Sequence, residues 1–415
     1  MFKYAYGWNI VAFGILMQIF SMGIFLYAFG VVLLPWSDDF GVGRAELAML
    51  PVILQVVMSF ASPFAGYLID RFPARILVSL GTLLVVVSLV LVSLARSMAE
   101  LVTVHVVLMT VAILLGGSLM SQTLAARWFR HRLGLALAIT AAGGGLGGLI
   151  MPPLVQFLIE EFGWRLGYQY LALAAALLLL PPCLLLRLAP REAEVMQSSV
   201  TAMAAAPETA APTSIWSIVG DRIFLMVTIG LAVVSAVQLA LQYNFPAMGR
   251  DVGISATRSA WIISMLFATS LLGKPVWGVL VDRVQPRLIF LSIALAYSMS
   301  LAVVVGLFGN LGYLHFVAAA IAAGSTNGAI QPLLGVVLIE RFGRASFGRV
   351  LGFAYPVLNL SAAGPAIAAF SYSHTGSYQG GFLVMLAVTL TSAVIVTLGM
   401  RLQPARPSGD ALVSA

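Results

Sequence analysis

One cation stands where cations are costly. Lys274 lies within the apolar stretch 256–281 and is the only Lys or Arg deep inside any long apolar stretch of this 415-residue chain. It precedes Asp282, at the end of that stretch, by eight residues. At a helical rise of about 1.5 Å per residue this is about 12 Å, close to the middle of a hydrocarbon layer about 30 Å thick. An ammonium group at that depth costs at least about 2.5 to 3.5 kcal/mol on insertion scales, so it is expected to face a cavity and to serve a function there. Ser264, Phe267, Ser270, Lys274, Trp277 and Gly278 recur at helical spacing and form a partly polar, small-residue stripe that suits a cavity wall. The competing reading is a lysine stem that snorkels to the interface and only anchors the helix.

A second set of charges carries a repeat. Gly66-x-x-x-Asp70-Arg71-x-x-x-Arg75 returns with identical spacing as Gly278-x-x-x-Asp282-Arg283-x-x-x-Arg287, an offset of 212 residues. Glycine permits close helix approach, and each carboxylate can pair with arginines or sit at a neighbouring helix N-terminus. Asp70, Arg71, Arg75, Asp282, Arg283 and Arg287 are therefore expected to form gating latches that break when one side of the protein opens. A single copy would be an ordinary solvated loop; two in register argue for a role. Parallel halves of this kind are the layout of transporters that hold substrate at the midplane, so the chain reads as a carrier.

These residues need elements to position them. Of the chain, 61% is hydrophobic and 9% charged, against about a quarter charged in soluble domains, so it belongs in lipid. Twelve apolar stretches are expected to cross as helices: spans 1 to 12 near 8–35, 44–69, 76–95, 100–126, 133–159, 166–188, 223–248, 256–281, 288–308, 311–339, 348–371 and 379–400. The fold class is an all-α membrane protein of two six-helix halves, 1–188 and 223–400, joined by a cytoplasmic linker, 189–222, and followed by a cytoplasmic tail, 401–415. Within the linker, Ser214 to Arg222 is expected either to form a short interfacial helix with Trp216 at headgroup depth or to be plain linker. With the N-terminus inside, the inner segments hold sixteen of the 22 Lys and Arg and the outer ones five. That bias puts both termini in the cytoplasm and explains the net charge of +7 as an orientation signal, with no nucleic-acid patch. Span 1 is too long for a secretion signal and is retained. Six of the seven Trp fall near span ends, and Trp277 is the exception. Cys183 is the only cysteine, so no internal disulfide or metal cluster is expected. No cofactor or catalytic group is indicated, and the chain is not read as an enzyme. Gly143 to Gly148, which superficially resembles a phosphate loop, lies inside span 5 and reads as a close helix contact. His105 and His315 could relay protons, but interfacial hydrogen bonding suits their shallow positions better.

Further stretches carry a resemblance: Tyr6-Gly7-Trp8 entering span 1, Arg127-Trp128-Phe129-x-x-Arg132-x-Gly134-x-Ala136 before span 5, Gly143-Gly144-Gly145-x-Gly147-Gly148 within it, Gly163-Trp164-Arg165 before span 6 and Thr375-Gly376-Ser377-Tyr378 before span 12. With the paired loop motif, the chain resembles the major facilitator superfamily, and within it the monocarboxylate transporter and oxalate/formate exchanger branch, over nearly its whole length. The resemblance implies the major facilitator fold and a path lined by spans 1, 4, 7 and 10. It also implies that Lys274, followed by Pro275, takes the place of the arginine that binds the substrate carboxylate. Gln18 and Tyr27, Gln122, Gln238 and Gln242, and Asn327 are then polar candidates on those spans, joined by Ser270 and Trp277 on span 8 and by Tyr355 and Asn359 on span 11. Ser270 stands where proton-coupled members carry a carboxylate, and span 11 offers no second cation, so a single carboxylate suits the site. The expected activity is secondary active or facilitative transport of a small organic anion, a monocarboxylate, by alternating access, as a monomer in the bilayer of a bacterial inner membrane. The alternatives are an exporter of amphiphilic or drug-like compounds, which Met17, Met22 and Phe267 would suit, and a non-transporting membrane sensor.

Overall fold

A computed structural model describes residues 2–129, 132–185, 215–307 and 312–402; the expected linker up to residue 214 and the tail beyond 402 lie outside the described residues. Every regular element among these residues is helical. Backbone groups have no water to bond in hydrocarbon, and a helix satisfies them within the segment.

Eleven helices are long and apolar enough to cross a membrane. One of them, Leu133–Leu185, is two spans run together: Gly163 has φ 76° and ψ 160° and divides it into spans 5 and 6. That backbone geometry is open only to glycine. The count is therefore the twelve spans expected. Spans 2, 3, 8, 9 and 12 are continuous, as Arg44–Arg71, Ala74–Leu94, Ala256–Val281, Pro286–Val304 and Gln379–Leu402. Span 7 is Arg222–Asp251, preceded by the short helix Ile215–Val219.

The remaining spans are interrupted. Span 1 runs Phe2–Met22, passes through a π-helical turn at Gly23–Tyr27 and resumes as Phe29–Phe40. Span 4 breaks at Gly117 between Met109–Gly116 and Ser118–Trp128. Span 10 breaks after Asn327, between Tyr313–Asn327 and Ile330–Phe342. Gly117 in the break of span 4 and Ala329 in the break of span 10 are 212 residues apart, the offset of the charged motif, so the repeat extends to the helix breaks. Span 11 passes through a 3-10 turn, Asn359–Ala362, between Phe347–Leu358 and Ala363–Thr375.

By packing, the chain forms two compact units. The first holds residues 1–131, 139–213 and 344–353; the second holds 132–138, 214–343 and 354–415. Each unit thus includes a short segment from the other half of the sequence. In the first unit Trp36 is fully buried, edge-on to His105 at 5.1 Å and Trp164 at 6.2 Å. Arg165 closes that end, donating to Asp39 Oδ2 at 2.7 Å and to Ala95 O at 2.6 Å. His105 is buried, donating from Nδ1 to Leu101 O at 3.3 Å. In the second unit His315 Nδ1 accepts from Gly312 N at 3.2 Å and so serves the start of span 10. The glycines of span 5 are a helix contact: a Cβ at Gly143 would lie 2.7 Å from Ile15 O, and one at Gly147 3.1 Å from Gly23 Cα.

Candidate functional site

Lys274 occupies a place where two backbones meet. A Cβ on Gly328 would lie 2.7 Å from Lys274 N, and one on Gly273 would lie 2.3 Å from Ser325 O. Small residues at these positions let spans 8 and 10 touch without intervening side chains. Lys274 itself is half-buried. One turn earlier, Ser270 is buried, and its Oγ accepts from Asn327 Nδ2 at 2.9 Å. Almost one turn later, Trp277 Nε1 donates to Ser325 O at 2.7 Å.

The last bond has a local cause. At the break in span 10, Ala329 N turns back to Thr326 O at 3.0 Å, which is a tightened i to i−3 bond. Ser325 O thereby loses the amide that a regular helix would give it, and a buried carbonyl without a partner is costly. The indole supplies the missing donor. Helix break, tryptophan and close glycine packing are one arrangement, and it fixes the stretch of span 8 that carries Lys274.

The other polar candidates of the second unit are Gln238 and Gln242 on span 7, and Tyr355 and Asn359 on span 11, all half-buried. Asn359 opens the 3-10 turn that packs against span 7. In the first unit the candidates divide. Gln18 is buried and its Nε2 donates to Ser121 Oγ at 3.0 Å and Thr140 O at 2.7 Å, bridging spans 1, 4 and 5. Gln122 is buried and its Nε2 donates to Ser118 Oγ at 2.7 Å. Tyr27 is 42% exposed, with its ring 3.3 Å from where a Cβ on Gly148 would sit.

Both carboxylates of the paired motif sit at helix N-termini, and Asp70 is paired with an arginine as well. Asp70 accepts from the backbone of span 11, from Gly348 N at 2.9 Å and Arg349 N at 2.6 Å. Asp282 accepts from the start of span 5, from Gly134 N at 2.6 Å and Leu135 N at 3.2 Å. Each carboxylate thus meets the free N–H groups and positive dipole end of a helix from the opposite half of the sequence. The motif glycines allow this approach: a Cβ on Gly66 would lie 2.2 Å from Gly348 O, and one on Gly278 2.7 Å from Leu135 Cα.

The motif arginines stand elsewhere. Arg71 is exposed and bonds to the Tyr67 hydroxyl, and Arg75 and Arg283 are exposed. Arg127 approaches Asp70 at 3.8 Å and also donates to Ile69 O. Arg349 lies over the Tyr67 ring at 4.8 Å, and Arg344 Nη1 donates to Ala126 O at 2.7 Å and Phe129 O at 2.5 Å. The residue 214 positions after Arg127 is Arg341, yet its partner is Asp221: Nη2 approaches Oδ2 at 2.7 Å and Nε at 2.8 Å, with both side chains nearly buried. Arg127, Arg341, Arg344, Arg349 and Asp221 escaped the sequence reading as functional positions. The near repetition of Arg127-Trp128-Phe129 by Arg341-Phe342-Gly343 was the available signal for the first two.

Comparison with known proteins agrees with this architecture. The family model described as Major Facilitator Superfamily matches residues 11–247 and 227–414. The chain is 27% identical over 405 residues to Monocarboxylate transporter 13 of Bos taurus, covering 95% of this chain and 89% of that one. It is 24% identical over 411 residues to Monocarboxylate transporter 4 of Rattus norvegicus, covering 95% and 83%. Among solved structures, the proton:xylose symporter XylE bound to 6-bromo-6-deoxy-D-glucose superposes with a TM-score of 0.74 at 13% identity, covering 97% of each chain. FucP in its outward conformation gives 0.71 at 13% identity, over 97% of this chain and 100% of that one. At such identities the two structures establish the fold alone.

Proposed function

We infer that this chain, which belongs to the Major Facilitator Superfamily and is a multi-pass membrane transporter, carries a small organic monoanion by alternating access, with Lys274 as the anion's counter-charge. The observation that carries this reading is the placement of Lys274: a half-buried ammonium, deep in an apolar span, on a backbone held against span 10. Its relatives named as monocarboxylate transporters support a carboxylate as the anion. A lysine is a compact point charge without the fork of a guanidinium, so it suits one carboxylate held by charge, with hydroxyl and amide groups nearby supplying orientation. Ser270, Asn327, Gln238, Gln242, Tyr355 and Asn359 are assigned to that orienting role in the second unit, with Trp277 holding the helix behind them. Tyr27 is the exposed candidate of the first unit, and Gln18 and Gln122 act through helix positions.

In the same reading the halves 1–188 and 223–400 rock about the site, the Asp70 and Asp282 contacts exist in one state and are broken in the other, and Arg71, Arg75, Arg283 and Arg287 set membrane orientation with both termini cytoplasmic. One protomer suffices. The exporter alternative loses one support, because Met17 is buried at 1% exposure within the first unit.

The test is uptake of a panel of labelled monocarboxylates into vesicles containing purified protein. Lys274→Ala and Lys274→Gln should each lower uptake at least about tenfold while inserting normally, and Lys274→Arg should retain part of it. Wild-type uptake by the alanine variant would leave Lys274 as a mere anchor.

A further inference from the structure

Just before span 7 the chain makes a feature that transport does not require. The helix Ile215–Val219 buries Ile218 completely yet turns Ile215, Trp216 and Val219 outward at 52%, 84% and 41% exposure. An outward apolar face of this kind, led by a nearly bare tryptophan, suits the boundary between headgroups and hydrocarbon. The short helix ends three residues before span 7 begins at Arg222, so its outward apolar face stands where that span starts. Arg222 is exposed at the same end and adds a positive charge beside the apolar face.

The junction behind this helix is stiff. Asp221 Oδ1 accepts from Phe224 N at 2.9 Å, which caps the start of span 7. Its Oδ2 holds Arg341 at the end of span 10, and Phe224 meets Phe342 edge-on at 6.1 Å. The main chain between is closed by Gly220 N to Trp216 O at 2.9 Å and Asp221 N to Ile218 O at 3.2 Å. Any displacement of the short helix is passed to the ends of both spans.

We propose that Ile215–Val219 is a docking element for the phospholipid headgroup layer, with a preference for anionic lipid given by Arg222, and that Asp221 fastens it to spans 7 and 10 so that the lipid surface sets the depth of those helix ends. The position of the face at the very start of a membrane span, with the exposed Arg222 beside it, selects an anionic lipid surface over a protein partner as the occupant.

The experiment uses full-length purified protein with Cys183→Ser and Val219→Cys, labelled with an environment-sensitive fluorophore and reconstituted in vesicles. Spin-labelled phospholipid should quench the probe at least about threefold more strongly than aqueous iodide, and more in phosphatidylglycerol than in phosphatidylcholine vesicles. Arg222→Gln should abolish the difference between lipids, and Trp216→Ser should raise iodide quenching at least about threefold. Asp221→Asn should loosen the probe likewise, although Trp216 is intact. Iodide quenching equal to that of the free dye would overturn the proposal. So would protection that rises with protein density, because that would name a second copy as the occupant. An unchanged probe in Asp221→Asn would refute the fastening to spans 7 and 10.

Discussion

At the scale of single residues, the neighbourhood of Lys274 is organised by bonds that other residues make around it. The indole of Trp277 completes a carbonyl that the break in span 10 leaves without its helical partner. Trp277→Phe keeps the ring and removes the donor, so a part-buried acceptor goes unmet at a cost of about 1 to 3 kcal/mol. The variant should melt at a lower temperature than wild type in detergent, with membrane insertion unchanged. Identical melting would mean that the bond to Ser325 contributes nothing. Asn327 and Ser270 form the companion bond, and Asn327→Leu should lower uptake several-fold by releasing span 8, while Asn327→Gln recovers part of it; equal uptake by all three proteins would remove Asn327 from the site. Lys274 was legible in the sequence because a charge deep in an apolar run is conspicuous. Its supports were not, since Asn327 lies 57 residues from Ser270 and only folding brings them together.

At the scale of elements, the two carboxylate contacts are alike in plan and unequal in strength. Asp70 has two amide donors, Arg127 at 3.8 Å and a side chain only 7% exposed. Asp282 has two amide donors and is exposed, and among the described residues no arginine forms an ion pair with it. Hydrogen bonds to a charged group contribute about 1.5 to 3 kcal/mol when screened from water and less when exposed. Asp70→Asn should therefore change the accessibility of single cysteines, placed on either side in a Cys183→Ser background, by about tenfold or more. Asp282→Asn should change it by less than about fivefold on the same argument. Equal effects would show that the partners of Asp70 beyond the amides do not matter. Gly66→Val should act in the same direction as Asp70→Asn, since even a Cβ would stand 2.2 Å from Gly348 O. The spacing of these motifs was legible, as were the glycines' purpose and the alternative of a helix N-terminus as partner. Which arginine backs which carboxylate was not, because in each case the pair is assembled from segments far apart in the chain.

At the scale of the whole molecule, composition and hydropathy suffice to read twelve spans and two halves, and the repeat reaches down to the breaks of spans 4 and 10. What escaped was Gly163, whose single turn lets spans 5 and 6 follow one another without a loop. The distribution of ionisable groups over the whole protein bears on coupling. Ser270 is bonded to Asn327, His105 is buried against the ring of Trp36 and His315 caps a helix. Each of the three is committed to a contact of its own, so transport should be exchange or facilitated diffusion. At fixed substrate-anion concentration, an imposed pH gradient across proteoliposomes should change the initial rate by less than about twofold, since the position one turn before Lys274 is a serine hydroxyl, already bonded to Asn327, and not a carboxylate. Accumulation driven by an inward proton gradient alone, persisting in His105→Gln/His315→Gln, would overturn this reading.

The exchange of short segments between the units also sets an order of events during synthesis. Asp70 receives its amides from residues 278 and 279 positions further along the chain. At about 5 to 20 residues per second the ribosome delivers them tens of seconds after Asp70 itself has emerged. That carboxylate, with Arg127 beside it, waits without its amide partners until span 11 arrives. A chain stopped anywhere before residue 348 is therefore deprived of Asp70's amide partners in the half already made.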